Sequence, residues 1–339
     1  MNLPLESKTF LNSNLKISRI INGMWQVSGA HGYINKNEAI KSMNLHVENG
    51  FTTWDLADHY GPAEDFVKVF REQRIREQKE ESLEDLKFFT KWVPRPQKIT
   101  RELVNKAIDI SRNRMGIETL DMLQFHWWEY QDKNYLKAIT FLDDLRKDGT
   151  LSTLGLTNFD TEHTEEFLKM GVKIVSNQVQ YSLIDRRPEQ LMVPLCKKYN
   201  VKLLAYGTLC GGLLTEKYLN QPEPLGEQLY TASLSKYKNM IDRWGDWKLF
   251  QELLQTLKRI ASKYNVTIAN VAVRYVLENP VVGGAIIGVR LGISEHIEQN
   301  SKTFSFSLNQ DDFEEINRVL SKSKDLLQII GDCGDEYRR

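Results

Sequence analysis

Eight short apolar runs recur along most of this 339-residue chain, each followed by a stretch with helical periodicity. They span residues 20–27, 52–58, 87–93, 121–127, 152–158, 174–180, 202–207 and 284–289. Such alternation favours parallel strands joined by crossover helices. Several of the intervening segments carry helix boundaries. "NKNEAIKSMNLHVENG" stops at Gly50, "TRELVNKAIDISRNRMG" runs from Thr100 as N-cap to Gly116, and "TEHTEEFLKMG" repeats the scheme with Thr161 and Gly171. Eight strand-helix units in roughly 270 residues is the size of a closed (β/α)8 TIM barrel, here one domain over 1–339. A doubly wound open α/β sheet is the competing arrangement on patterning alone.

Three segments depart from the repeat. Residues 62–86 hold a mixed-sign charged run, expected as a solvated helix or loop. Residues 208–248 form a connection too long to be a mere link, and its Tyr230, Tyr237, Trp244 and Trp247 suit either a lid over the strand C-termini or packing on the barrel rim. A helix over about 309–330 is expected to dock outside, with "GDCGDEYRR" as a short, frayed, charged tail.

Charge and cysteine content narrow the function. Lys+Arg and Asp+Glu both number 45, so no net field draws the chain to nucleic acid or an anionic membrane, and a small molecule is the expected partner. No oligomeric state is specified. Cys196, Cys210 and Cys333 are odd in number and lack CxxC spacing, which argues against a disulfide framework and against a thiolate zinc site. No secretory signal and no long apolar span stands out, so a cytoplasmic location is expected. A zinc site on His31 and His59 is a poor option, since no two histidines share an i, i+4 helix face.

The ends of three consecutive runs carry ionisable groups. "TTWDLADHYG" places Asp55 near a strand end and Tyr60 in the following loop, "LKFFTKWVP" places Lys91, and "LDMLQFHWW" places His126. Singly, each has an ordinary structural reading as turn-former, loop anchor or packed polar residue. Together they converge on the C-terminal rim where barrel enzymes assemble their sites. Their chemistry is complementary: Asp55 fixes Lys91, the Lys91 ammonium lowers the pKa of the Tyr60 phenol, and Tyr60 delivers a proton to a developing alkoxide, with His126 orienting the same oxygen. Protonating an alkoxide requires a hydride source, yet neither GxGxxG nor GxxxxGK[ST] is present. "GGAIIGVRLGISEHIEQN" instead offers backbone N–H groups and Arg290 where barrels hold phosphate.

These motifs resemble the aldo-keto reductase superfamily from about Lys16 to Phe304. "GFTTWDLADHYGPAE" is similar to its strand-two signature, "FFTKW" to its lysine motif, "LDMLQFHWW" to its histidine strand, and "GLTNF" with "SNQVQYSL" to its nicotinamide-binding strands. The resemblance implies a (β/α)8 barrel, NAD(P)(H) as cofactor with NADPH preferred, and Asp55, Tyr60, Lys91 and His126 as the catalytic tetrad. It implies that Thr157, Asn158 and Gln178 hold the nicotinamide carboxamide and that Tyr206 stacks on the ring. Gly23 and Met24, with Asp55, match contacts near the nicotinamide ribose. Gly207, Thr208, Leu209 and Gly211 match the pyrophosphate loop, and Gly288, Val289, Arg290, His296, Gln299 and Asn300 the adenosine end. The chain departs from the family at Gly207-Thr208, often Ser-Pro, at His296, often arginine, and at Gln299, commonly an acid.

A small aldehyde or ketone is the expected substrate, with reduction to the alcohol as the expected activity; Trp25, Trp92 and Trp127 beside Tyr60 and His126 are expected as its pocket, rim packing being the alternative, and alternation lets only one of Trp127 and Trp128 face the cleft. The rival reading is a nucleotide-sensing regulatory subunit with little turnover, as some members of the superfamily accompany ion channels.

Overall fold

The computed structural model describes residues 5–29, 33–77 and 83–338. A hairpin of β1 (Lys8–Phe10) and β2 (Lys16–Ser18) precedes β3 (Ile20–Gly23), β4 (Thr53–Asp55), β5 (Lys87–Trp92), β6 (Met122–Phe125), β7 (Leu154–Thr157), β8 (Ile174–Gln180), β9 (Lys202–Tyr206) and β10 (Val282–Gly288). The last eight close into a barrel in which each strand pairs parallel with the next and β10 returns to β3. Helices cover it outside, so the expected (β/α)8 barrel is the observed fold and the open sheet is excluded.

Two apolar layers hold the barrel. The outer one lies between strands and helices and contains Trp54, Phe88, Trp92, Phe125 and Leu156. The inner one sits at the N-terminal end, where Leu11, Leu15 and Ile17 from the hairpin region meet Ile21, Phe89, Met122 and Leu204. Period-two alternation along the strands separates these sets. The hairpin had no counterpart in the sequence reading, because three-residue strands carry too short a pattern.

The terminal-cap expectations hold for Arg101–Met115, where Thr100 Oγ1 accepts from Leu103 N at 3.2 Å and Gly116 is left-handed at φ 63°. For Thr161–Lys169 the cap is Asp160, one residue earlier, accepting from His163 N at 2.8 Å. The charged segment after Tyr60 forms Ala63–Arg76, which buries Phe66, Val67 and Phe70 and is therefore not wholly solvated; residues 78–82 lie outside those described. Instead of one helix over 309–330 there are two, Gln310–Leu320 and Leu326–Ile330. Between them Lys324 N donates to Trp244 O at 2.8 Å, and Asp325 caps the second helix.

Leu204 is fully buried in the inner layer. Leu204→Ala is expected to cost about 2–5 kcal/mol of unfolding free energy, read by urea denaturation, because the closed strands cannot collapse onto the lost volume.

Candidate active site

Asp55 ends β4, Lys91 is the penultimate residue of β5, His126 follows β6, Gln178 lies in β8 and Tyr206 ends β9. Parallel register brings neighbouring rim positions side by side: Lys91 opposite Gln124, Thr157 opposite Gln178, and Gln180 opposite Tyr206. After β4, Leu56 N donates to Phe89 O and Asp58 N to Lys91 O, so the chain continues along β5 before turning. Gly61 makes that turn at φ 55°, a left-handed conformation glycine adopts without strain. The phenol ring of Tyr60 thereby returns over Lys91, whose Nζ lies 4.8 Å from the ring centroid.

A buried ion pair forms the floor. Lys91 Nζ donates to Asp55 Oδ2 at 2.6 Å and to Leu56 O at 2.7 Å. Asp55 Oδ1 accepts from Gln124 Nε2 at 2.8 Å and from Gln178 Nε2 at 2.7 Å. His126 Nδ1 lies 3.0 Å from Thr157 O, and because a carbonyl only accepts, Nδ1 carries the proton. Its Nε2 is buried without a partner. Burial lowers the His126 pKa to about 4, opposed by the bond to Thr157 and assisted by the charge of Arg338. The ring is therefore neutral at physiological pH and presents an acceptor.

Tyr60 differs from the sequence expectation. Burial raises its phenol well above the ordinary tyrosine value, and Asp55 adds to the rise. Burial also lowers Lys91 while Asp55 opposes the change. The ammonium is spent on Asp55 and Leu56, so its expected lowering of the phenol is outweighed by desolvation.

The substrate tryptophans divide by strand parity. Trp25 meets Tyr60 edge-on at 5.1 Å and is partly exposed. Trp92 has opposite parity to Lys91 and stacks outward on Phe125 at 5.7 Å. Trp127 is buried in the outer layer with its indole N–H on Glu129 O and Asp132 O. Trp92 and Trp127 are thus buried in the outer layer, with Trp127 beside Trp128 at the wall of a small cavity. Trp128 lies edge-on to His126, at 4.4 Å between ring centroids.

The expected cofactor residues fall into three groups. Near Asp55, its carbonyl accepts from Met24 N and Gly23 O accepts from Val289 N, both at 2.9 Å. Thr157 Oγ1 makes a long 3.4 Å contact with Gln178 O; Asn158 is left-handed at φ 58°, and its Oδ1 accepts from the Tyr206 hydroxyl at 2.8 Å. In the second group, Gly207 and Gly211 are left-handed, and a Cβ at Gly207 would clash with the Tyr237 hydroxyl oxygen. Tyr237, Trp244 and Trp247 are buried while Tyr230 is exposed, so most of the 208–248 aromatics pack on the rim. Thr208 Oγ1 is buried without a partner, and Leu209 O accepts from Gly212 N. In the third group, a Cβ at Gly288 would meet the Gln26 amide, and Arg290 is exposed. His296 Nδ1 contacts Gln299 Oε1 at 2.8 Å and His296 O accepts from Asn300 N.

The tail is docked, contrary to the expectation of fraying. Arg187 is buried and bonds Asp185, Glu336 and the carbonyls of Gly331 and Asp332. Asp332 Oδ2 accepts from Thr161 N at 2.7 Å, and Arg338 donates to Trp127 O while lying 4.1 Å from the Tyr130 ring. The Tyr206 hydroxyl oxygen, whose proton goes to Asn158, also lies 3.2 Å from Glu336 Oε1 and 3.2 Å from the Tyr337 oxygen, and Lys236 donates to Tyr337. The tail therefore straps the rim beside Asn158 and Tyr206. Its charged sequence gave no sign of this, whereas Gln124 and Trp128 could have been found from parity with His126. Among the described residues no cluster of three or more His, Cys, Asp or Glu is placed for a metal; His31 lies outside them, and His59 bonds Asp58.

Residues 19–321 match the Aldo/keto reductase family, and the chain belongs to it. The protein is an oxidoreductase of that class. Aldo-keto reductase YhdN of Bacillus subtilis (strain 168) is 24% identical over 330 residues, spanning 94% of this chain and 95% of the relative. The NADH-specific methylglyoxal reductase of Escherichia coli (strain K12) is 22% identical over 321 residues, spanning 88% and 94%. The solved glycerol dehydrogenase AKR11B4 from Gluconobacter oxydans shares the fold, with a TM-score of 0.77 at 20% identity over 94% of this chain and 96% of that one.

His126 sets a pH dependence of stability. The unfolded chain protonates it near an ordinary value of about 6.5, whereas the folded chain resists until about 4. Between these values the unfolded state holds more protons, so this contribution is full above about pH 6.5 and is lost as pH falls toward the folded value. Relative to His126→Gln, wild type is expected to lose roughly 3 kcal/mol across that window in urea unfolding.

Proposed function

We propose that this chain reduces a small aldehyde or ketone to the alcohol in the cytoplasm, with NADPH the preferred and NADH a possible donor. The buried Lys91–Asp55 pair beneath the Tyr60 ring, together with the unpartnered His126 Nε2 just past the end of β6, carries this reading. When bound, the nicotinamide supplies hydride to the carbonyl carbon. Tyr60 gives its phenolic proton to the carbonyl oxygen, completing the hydroxyl, and is reprotonated from solvent. A phenol held protonated by burial is in the state that a proton donor requires. His126, neutral and with a free Nε2 lone pair, accepts a hydrogen bond from the new hydroxyl and orients it.

The donor set suits a nicotinamide dinucleotide. Asn158 and Gln178 offer amides, the Tyr206 ring a stacking face, and Thr208 an unpaired buried hydroxyl near left-handed Gly207. Arg290, exposed after β10, is a cation for a ribose phosphate and is the reason NADPH is preferred in this reading. The NADH specificity in the name of one relative makes that preference a point to measure, and its methylglyoxal places small dicarbonyls first in a substrate panel.

In Tyr60→Phe, NADPH oxidation with an aldehyde panel is expected to fall by about 10²- to 10⁴-fold while dinucleotide binding, followed by fluorescence quenching, is retained. A wild-type protein that binds dinucleotide yet turns over nothing in the panel would instead support the regulatory reading. Arg290→Met is expected to weaken NADPH about tenfold and leave NADH unchanged, on the scale of one charge-assisted phosphate contact. Equal effects on both would remove Arg290 from the phosphate site.

A further inference from the structure

Gln124 is fully buried on β6, two residues before His126, and the proposed reaction does not use it. Its environment fixes the sense of its amide. Asp55 is salt-bridged to Lys91, and a carboxylate only accepts, so the Gln124 atom 2.8 Å from Asp55 Oδ1 is Nε2. Gln124 Oε1 then faces Gln178. Gln178 Nε2 stands 2.7 Å from both Asp55 Oδ1 and Gln124 Oε1. Both are acceptors, so Gln178 must present its NH2 group to them and hold its own Oε1 elsewhere. Turning either amide would set two oxygens against each other at hydrogen-bond distance in a buried site, which costs a full unsatisfied polar group. One carboxylate thus imposes a direction on two amides taken from separate strands.

We propose that Gln124 is a positioning residue that couples the Asp55–Lys91 pair to Gln178, fixing the Gln178 carbonyl oxygen as the acceptor that receives the dinucleotide carboxamide. This inference rests on the reading under Proposed function. It makes one residue serve both halves of the site: its N–H holds the carboxylate beneath the proton donor, and its oxygen holds the cofactor ligand. The charged and titratable groups around it are Asp55 from β4, Lys91 from β5, Tyr60 above them and His126 just past the end of its own strand.

Gln124→Met keeps the volume and removes both bonds. NADPH affinity, measured by fluorescence quenching, is expected to weaken about tenfold, the scale of one hydrogen bond to a charged group. In a Gln178→Met background the same change is expected to weaken it by less than about twofold, since the route through Gln178 is already gone. Equal losses in both backgrounds, accompanied by a lowered Tm, mean that Gln124 only packs the barrel, and overturn the proposal. Gln124→Glu is the second variant, and it carries the test if the methionine protein does not fold. Its carboxyl can accept from Gln178 throughout but can donate to Asp55 only when protonated. Its kcat relative to wild type is therefore expected to climb as pH is lowered; a ratio independent of pH overturns the proposal. A wild-type protein that binds NADPH without reducing any carbonyl defeats the reaction reading alone, because the two-background binding comparison still decides the role of Gln124.

Discussion

The Lys91–Asp55 ion pair constrains everything around it. Each side chain is only 4% exposed, and removing two charges from water costs several kcal/mol per ion unless nearly every remaining donor and acceptor is met. Here they are met by four strands at once: Leu56 O continues β4, Lys91 comes from β5, Gln124 from β6 and Gln178 from β8. An open sheet could not bring β4 and β8 to one carboxylate. Closure of the barrel is therefore a precondition of the pair, and the pair in turn penalises any register in which its partners fall out of reach.

Low polarity around the pair governs protonation in ways that residue identity does not reveal. Tyr60 retains its proton because its anion would be poorly solvated beside Asp55. His126 remains neutral because an imidazolium there would be desolvated, and the Thr157 carbonyl decides which nitrogen keeps the single proton. One residue is thus left as a donor and the other as an acceptor by burial and one carbonyl, with no change of side chain.

The rim is closed by parts of the chain far apart in sequence. The tail meets the loops after β6, β7 and β8 through Trp127, Thr161 and Arg187, then reaches Tyr206 at the end of β9 and Lys236 in the long connection. Cys333, enclosed by this docking, has its thiol pushed well above the ordinary value by burial. Arg187, only 1% exposed at its side chain, is the anchor, and its several charge-assisted bonds explain why a short charged terminus is ordered.

The eight strands and the four ionisable residues at the rim were legible in the sequence, because apolar runs of strand length and a local motif such as "TTWDLADHYG" are properties of adjacent residues, whereas the same runs also suit an open sheet and left closure to the resemblance. Trp92 and Trp127 lie close to Lys91 and His126 in sequence, yet both rings are buried in the outer layer. The docked tail, the hairpin at the barrel floor and the polarity of Gln124 and Gln178 had no such local signal. Each depends on which groups from distant segments share one small buried volume, and burial together with hydrogen-bond complementarity acts through space. Sequence determined which strands could form and which chemical groups they would carry to the rim; tertiary structure alone decided which of those groups meet, and therefore which hold protons and which receive them.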